Sequence, residues 1–281
     1  MTAVALATAC AVIFGTADFF GGLATRRSRV LAVVAVSQIG GLLLIAALIP
    51  VLPGTLSAAA LLWGMASGVA GACGIVLFYR GLATGMMSVV APTTATTAMV
   101  VPVAFGLVRG ERPSAQALAG VALGLLAVLL VSRDPNGPAA GARLGPIVGA
   151  LASGAGFGGF FILLKLAPGD AGVWPLAGAR IASITLVALL ALATRRSLRP
   201  LPGSLPVTIT AGVLDMAANV LYLFAAQRGM LSLVAVLVSL YPASTLMLAR
   251  HVLGERLSPM QITGVGFALG AVALIAASPV S

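Results

Sequence analysis

Apolar residues gather into ten runs of about twenty, at 3–24, 30–51, 57–79, 86–108, 114–132, 145–167, 172–194, 205–227, 230–252 and 259–278, and most breaks carry arginine, proline or glycine. A helical run of that length, rising about 1.5 Å per residue, crosses a hydrocarbon core about 30 Å thick. Each run is therefore predicted to be a membrane-spanning helix. Gly and Ala recur inside the runs, as expected where helices pack closely with no hydrophobic drive between them. The first run has no basic flank before it and is longer than a signal-peptide core, so it is expected to be retained as a span.

The longest polar connection, Arg133 to Arg143 (RDPNGPAAGAR), separates five runs from five. Two heptapeptides, VRGERPS at Val108–Ser114 and VLGERLS at Val252–Ser258, stand half a chain apart, each directly after an apolar run. Sliding one half on the other at that spacing brings Gly85 onto Gly229, Met86 onto Met230, Ser88 onto Ser232 and Gly120 onto Gly264; with a slightly shorter shift Phe19-Phe20 meets Phe160-Phe161 and Gln38 meets Arg180. Chance agreement among small-residue helices does not explain the charged GER triplet, so the chain reads as a duplication: residues 1–133, a linker at 134–144, and residues 145–281. Five is odd, so the second copy enters the membrane from the opposite side. Inverted repeats around a midplane site are a common construction of secondary transporters. Each GER turn is expected to close a hairpin, with Ser114 or Ser258 capping the next helix.

Composition agrees. The chain is 60% hydrophobic and 8% charged, with a mean hydropathy of +1.14, against about 25% charged residues in a soluble domain. Its net charge of +10 sits between the runs, where it sets topology; no basic patch with interleaved aromatics points to nucleic acid. One set of loops holds Arg26, Arg27, Arg29, Arg80, Arg133, Arg143, Arg195, Arg196, Arg199, Arg250 and Arg256, the other Arg109, Arg112, Lys165 and Arg228. The richer set is expected in the cytoplasm, which places both termini outside. Cys10 and Cys73 lie within apolar runs and read as small buried packing residues with neither disulfide nor metal spacing.

The segments FGTADFFGG, FYRGLATGMMSVVAPTTATTAMVVPV and LYLFAAQRGMLSLVAVLVSLYPASTLMLARHVLGERLSPMQITGVGFALGAVALIAAS carry a family pattern, loose in each motif but specific in order and spacing across both halves. The chain resembles the drug/metabolite transporter superfamily, specifically proteins with two EamA domains. The resemblance implies an all-α polytopic membrane protein with ten helices in two inverted five-helix repeats around a central cavity. It further implies carriage of metabolites, amino acids or toxic compounds, commonly as export. Members often have both termini in the cytoplasm, the reverse of the charge count here.

Polar groups at membrane depth are costly and usually face a cavity or a partner. Asp215 falls near the middle of the eighth run, with Asn219 and Tyr222 on the same helical face. Asp18 lies two-thirds along the first, between Gly15 and Gly22, which let a helix or a ligand approach. Arg180, in the seventh run, has Gln38 as its repeat mate; it can pair with an aspartate, hold an anionic group or snorkel to an interface. These charges occur in one copy only, so an asymmetric cavity is expected on a near-symmetric scaffold. Thr93, Thr94, Thr96 and Thr97 follow Pro92, while Ser239, Tyr241 and Ser244 flank Pro242 in the matching ninth run. Proline kinks both spans, and the hydroxyls either repair the break or line a gating helix. Tyr79, Tyr222, Trp63 and Trp174 are stacking candidates or interface anchors.

The sequence thus predicts a multi-pass cell-membrane carrier that moves a small molecule by alternating access, with Asp215 as the main proton or cation site and Asp18 as the second. A passive facilitator or channel is the alternative. No nucleotide-binding loop, metal motif or nucleophile–base pair is present, so neither cofactor nor enzymatic activity is expected. Its partners are a small-molecule substrate and membrane lipid, and nothing in the sequence sets an oligomeric state.

Overall fold

A computed structural model describes residues 2–83, 87–131, 144–195, 197–254 and 257–278, apart from the side chains of 79–83, 87–89, 91–92 and 144–146. Outside the described residues lie the linker at 134–143, Glu255 and Arg256 of the second GER turn, Gly85, Met86 and the side chain of Tyr79. Among the described residues the chain forms α1 (Thr2–Thr25), α2 (Val30–Leu48), α3 (Ala58–Ala83), α4 (Met87–Val108), α5 (Ala115–Val131), α6 (Leu144–Lys165), α7 (Trp174–Thr194), α8 (Leu205–Arg228), α9 (Leu231–Val238), α10 (Tyr241–Leu253) and α11 (Pro259–Ala276). Eight segments are long and apolar enough to cross a membrane, α9 and α10 together forming one of them; the described parts of α4 and α5 supply two shorter ones. The predicted ten spans are all present.

Solvation by lipid turns the usual distribution of residue sizes inside out. Buried positions are dominated by alanine, while large aliphatics such as Leu43 (63% exposed), Leu62 (64%) and Leu269 (68%) face outward. Hydrocarbon is as apolar as leucine, so close contact between helices, and not expulsion from water, decides what lies inside. Cys10 is buried and its thiol donates to the Ala218 carbonyl at 3.1 Å. Cys73 is exposed, so the expectation of burial fails there: its side of α3 is an outer surface, where a small thiol costs nothing.

The two halves are interleaved. α1 packs along α8 as α6 packs along α3; α2 lies on α8 as α7 lies on α3; α4 lies on α6 as α9 and α10 lie on α1. Each contact has a counterpart with the halves exchanged, the signature of a two-fold axis. On that axis α5 meets α11 and α2 meets α7. Contacts within one half are sparse by comparison.

Glycine placement obeys the same rule. A Cβ on Gly68 would run into the Ala179 backbone, and one on Gly212 into the Ser37 backbone; Gly68 and Gly212 are repeat mates. Where α5 crosses α11, Gly120 abuts Ile275 and Gly264 abuts Val131, again an exchanged pair. The connecting loops repeat it at the membrane faces. Thr55 donates its backbone N–H to the Asp170 carbonyl at 2.9 Å and its hydroxyl to the Asp170 carboxylate at 2.6 Å. At the opposite face Leu201 donates its backbone N–H to Ser28 Oγ at 3.0 Å. The mates therefore lie on opposite faces, as inversion requires.

Replacing Gly212 by valine forces α8 off α2 and is expected to cost about 1–3 kcal/mol through overpacking. Gly22→Val, at a position with open space beside it, should cost little. Thermal unfolding of the two purified variants in detergent checks the contrast.

Candidate functional site

A cavity of about 790 Å³ opens inside the bundle and draws its lining from both halves. It reaches Arg26 at the end of α1, Val131 at the end of α5 and Leu253 at the end of α10. Those ends share one membrane face, here termed the Arg26 face. Away from that face its lining includes Phe14, in the middle of α1, and Leu176, in the first turn of α7.

Arg180 organises the cavity wall. Its guanidinium donates to Gln38 Oε1 from one amino group and pairs with the Asp215 carboxylate through the other. Ser183 also donates to Gln38 Oε1, at 3.2 Å. Asn219 donates to the Asp215 carbonyl at 2.8 Å and to its carboxylate at 3.3 Å. Gly41 lets this arrangement lie flat on α2, since a Cβ there would come within 3.1 Å of Arg180 Nε. Gln38 and Arg180 are repeat mates, and they meet because residues near a two-fold axis face their own equivalents.

The two carboxylates differ in their partners. Asp215, expected to be the main proton or cation site, has its charge compensated by Arg180. Asp18 lines the cavity and has no hydrogen bond or ion pair among the described residues. Its charge is close enough to Asp215 and Tyr241 to interact with both. The flanking glycines have divided the roles foreseen for them: Gly15 packs against the α10 backbone at Tyr241 and Thr245, whereas Gly22 has open space and lines the cavity.

Asp18, Gln38, Thr94, Arg180, Asp215 and Asn219 all line the cavity. Thr93, Thr97 and Tyr222 do not. Thr97 turns its hydroxyl back to the Thr93 carbonyl at 2.8 Å. Tyr222 is fully buried and donates to the Phe161 carbonyl at 2.8 Å. It shares a helical face with Asp215, but two turns further along, where that face has passed beneath the cavity floor at Phe161. Neither Trp63 nor Trp174 is part of the lining.

Sequence reasoning missed an aromatic floor. Phe14 stands 6.5 Å from Phe161 and 6.2 Å from Tyr241, ring centre to ring centre, with Phe160 5.4 Å from Phe161. The available signal was Phe14, one helical turn before Asp18 on the same face. The ninth span breaks at this floor: α9 ends at Val238 and α10 begins at Tyr241, with Val238, Ser239, Tyr241, Pro242 and Thr245 all in the lining. Pro242 has no N–H to return to the Val238 carbonyl. Of the nearby hydroxyls, Thr245 donates instead to the Gly15 and Tyr241 carbonyls, at 3.0 and 3.3 Å. Irregular backbone at membrane depth is tolerated where it lines a cavity. The fourth span stays helical through position 92, so only one of the two proline kinks foreseen becomes a break.

A second cluster lies on the opposite face. Ser114 caps α5 there through Ala117 N (3.2 Å), as Ser258, on the Arg26 face, caps α11 through Gln261 N (3.2 Å). Glu111, however, does more than end a turn. Its carboxylate accepts from the Leu231 N–H (2.6 Å), the Ser232 N–H (2.9 Å) and the Ser232 hydroxyl (2.6 Å), capping α9 from the other half of the chain. Lys165 donates to the Ala226 and Gly229 carbonyls at the end of α8. A carboxylate thus sits at one helix N-terminus and an ammonium at the neighbouring C-terminus, each matching the local dipole.

Ten spans, a unit repeated upside down and a helix broken beside a half-way cavity define a polytopic membrane protein of transporter type. The family model for EamA-like transporters matches residues 1–133 and again residues 144–277; the chain belongs to the EamA-like transporter family, consistent with the drug/metabolite transporter superfamily. A solved crystal structure shares the fold at a TM-score of 0.81 and 17% identity, over 98% of this chain and 98% of its own. No curated protein matches the chain.

Arg180→Gln removes the cation paired with Asp215 and is expected to cost about 1–3 kcal/mol, below the figure for a fully buried pair because Asp215 is 39% exposed, with most of it recovered in Arg180→Gln/Asp215→Asn. A double-mutant cycle on unfolding midpoints measures the recovery.

Proposed function

We propose that the protein is a secondary carrier that exports a small molecule by alternating access, drawing on a proton gradient through Asp18. One observation carries this: among the described residues the cavity lining runs out to the helix ends of the Arg26 face, while toward the other face it stops on buried side chains such as Leu176, and there Glu111 of the first half clamps the α9 N-terminus of the second. A channel has no need of such one-sidedness, and a passive pore through this bundle would have to pass the α9 cap.

The Arg26 face bears most of the loop arginines, so the positive-inside rule assigns it to the cytoplasm and both termini to the outside. The cavity then loads from the cytoplasm, the state an exporter presents to its substrate. Switching requires one set of helices to rock against the other around Asp18. Two features favour α9 and α10 as the moving part: the break at Ser239–Leu240, and a cap held by side-chain bonds alone. Asp18, uncompensated and open to the cavity, is the group available to exchange a proton.

Proteoliposome exchange with a panel of labelled solutes, with and without an imposed pH gradient, tests the carrier. Asp18→Asn is expected to reduce gradient-driven flux at least tenfold and remove its response to pH. Gradient-insensitive, non-saturating flux in the wild type would make the protein a facilitator. Glu111→Ala strips three bonds from the α9 N-terminus, worth roughly 1–3 kcal/mol in unsatisfied donors, which shifts the balance toward the outward-open state by about tenfold. A cysteine in place of Ala98, in the lining, should accordingly react faster with an impermeant thiol reagent added on the Glu111 face.

A further inference from the structure

Resting on the carrier reading, we infer that the cavity selects a singly charged organic cation: an ammonium on an apolar, ring-bearing body, with Asp18 as the specificity-determining residue.

Among the described residues four side chains in the lining bear charge: Asp18, Arg26, Arg180 and Asp215. Arg180 and Asp215 neutralise each other, and the remaining guanidinium donor goes to Gln38. Arg180 is only 10% exposed and backed by Gly41, so it has no freedom to turn toward a ligand's carboxylate. Asp18 is left as the negative charge of the cavity's interior, exposed to its space and without a hydrogen-bonded or ionic partner among the described residues. A carboxylate in that position attracts one positive charge.

Its surroundings specify the rest of the ligand. Phe14 lies one turn below Asp18, and its ring joins those of Phe161 and Tyr241 in a floor with centre-to-centre spacings of 6.2 to 6.5 Å. Phe157 and Phe78 add a further pair 6.4 Å apart. Ring faces attract cations and aromatic bodies alike, and apolar residues make up most of the lining. Inorganic cations are a poor match, because Asp18 is accompanied by rings and not by a shell of oxygens. A volume of about 790 Å³ is in the range that admits drug-sized molecules.

Zwitterionic amino acids fit less well. Their carboxylate would need a cation beside the one bound at Asp18. Arg26 lies just past the end of α1, about 12 Å further along by helical rise, at the mouth of the cavity and already engaged by another group. Arg180 is nearer but committed.

A matched series of ligands tests this: 3,3-diphenylpropylammonium, 3,3-diphenylpropanol, 3,3-diphenylpropanoate and the zwitterion 3,3-diphenylalanine, titrated onto the purified full-length protein in detergent by calorimetry. The ammonium should bind saturably, and the other three at least tenfold more weakly. Asp18→Asn should weaken the ammonium at least tenfold, the scale of one charge-assisted contact, and leave the alcohol unchanged; Asp18→Glu should restore part of the loss. Phe14→Leu, which keeps the charge and the helix, should weaken the ammonium about threefold. Equal binding of the alcohol, the propanoate or the zwitterion would overturn the assignment, as would unaltered ammonium binding by a folded Asp18→Asn protein. Ammonium binding with no solute flux in proteoliposomes would sink the carrier and leave the binding site standing. Flux of an anion or a neutral solute with no ammonium binding would do the reverse.

Discussion

An arginine cannot stand alone halfway through a bilayer, and the way this one is satisfied shapes everything near it. Arg180 reaches from α7 to Asp215 on α8 and to Gln38 on α2, tying two helices of one half to a helix of the other. Both charges are consumed, the stretch of wall they occupy becomes electrically neutral, and α2 is fixed against α7 on the two-fold axis. The carboxylate this network does not include, Asp18, stays open to the cavity. The same residues in another pairing, Arg180 with Asp18, would leave a different charge open to ligand on the opposite wall.

Around that fixed wall the structure is a compromise between symmetry and function. Exchange of the halves relates the helix contacts, the glycine approaches and the loop contacts. Departures from symmetry gather at the cavity: charges present in one copy, a ninth span broken where the fourth continues, an aromatic floor. A duplicated scaffold supplies two similar sets of helix contacts, and single-copy residues make the cavity's chemistry asymmetric.

Much of this was legible in the sequence because its causes are local. Span number follows from run length, since hydrocarbon thickness is a fixed ruler. Inversion follows from an odd count, and the repeat from a charged triplet that drift among small residues does not produce. That Gln38 and Arg180 are repeat mates was readable; that they touch, and so mark the axis, was not. Other features depended on distances that no spacing encodes. Which aspartate Arg180 would take, the inner surface of α8 or that of α1, is decided by helix rotation. Tyr222 obeyed the helical period and still missed the cavity, because a face read from periodicity has no depth. Glu111 looked like a turn residue because the helix it caps lies in the other half of the chain. Cys73 shows the same weakness from outside: an apolar run does not say which of its sides touches lipid.

The interleaving also bears on how the chain comes into being. Its first five helices leave the ribosome before the surfaces they are shaped to fit have been synthesised, and their glycine-lined flanks must wait in the bilayer. Because contacts between the halves outweigh those within each, most of the packing surface of the early helices is completed only by the late ones. Two separately translated polypeptides, one for each half, have the same route open to them, as would a primordial single unit able to insert in either orientation.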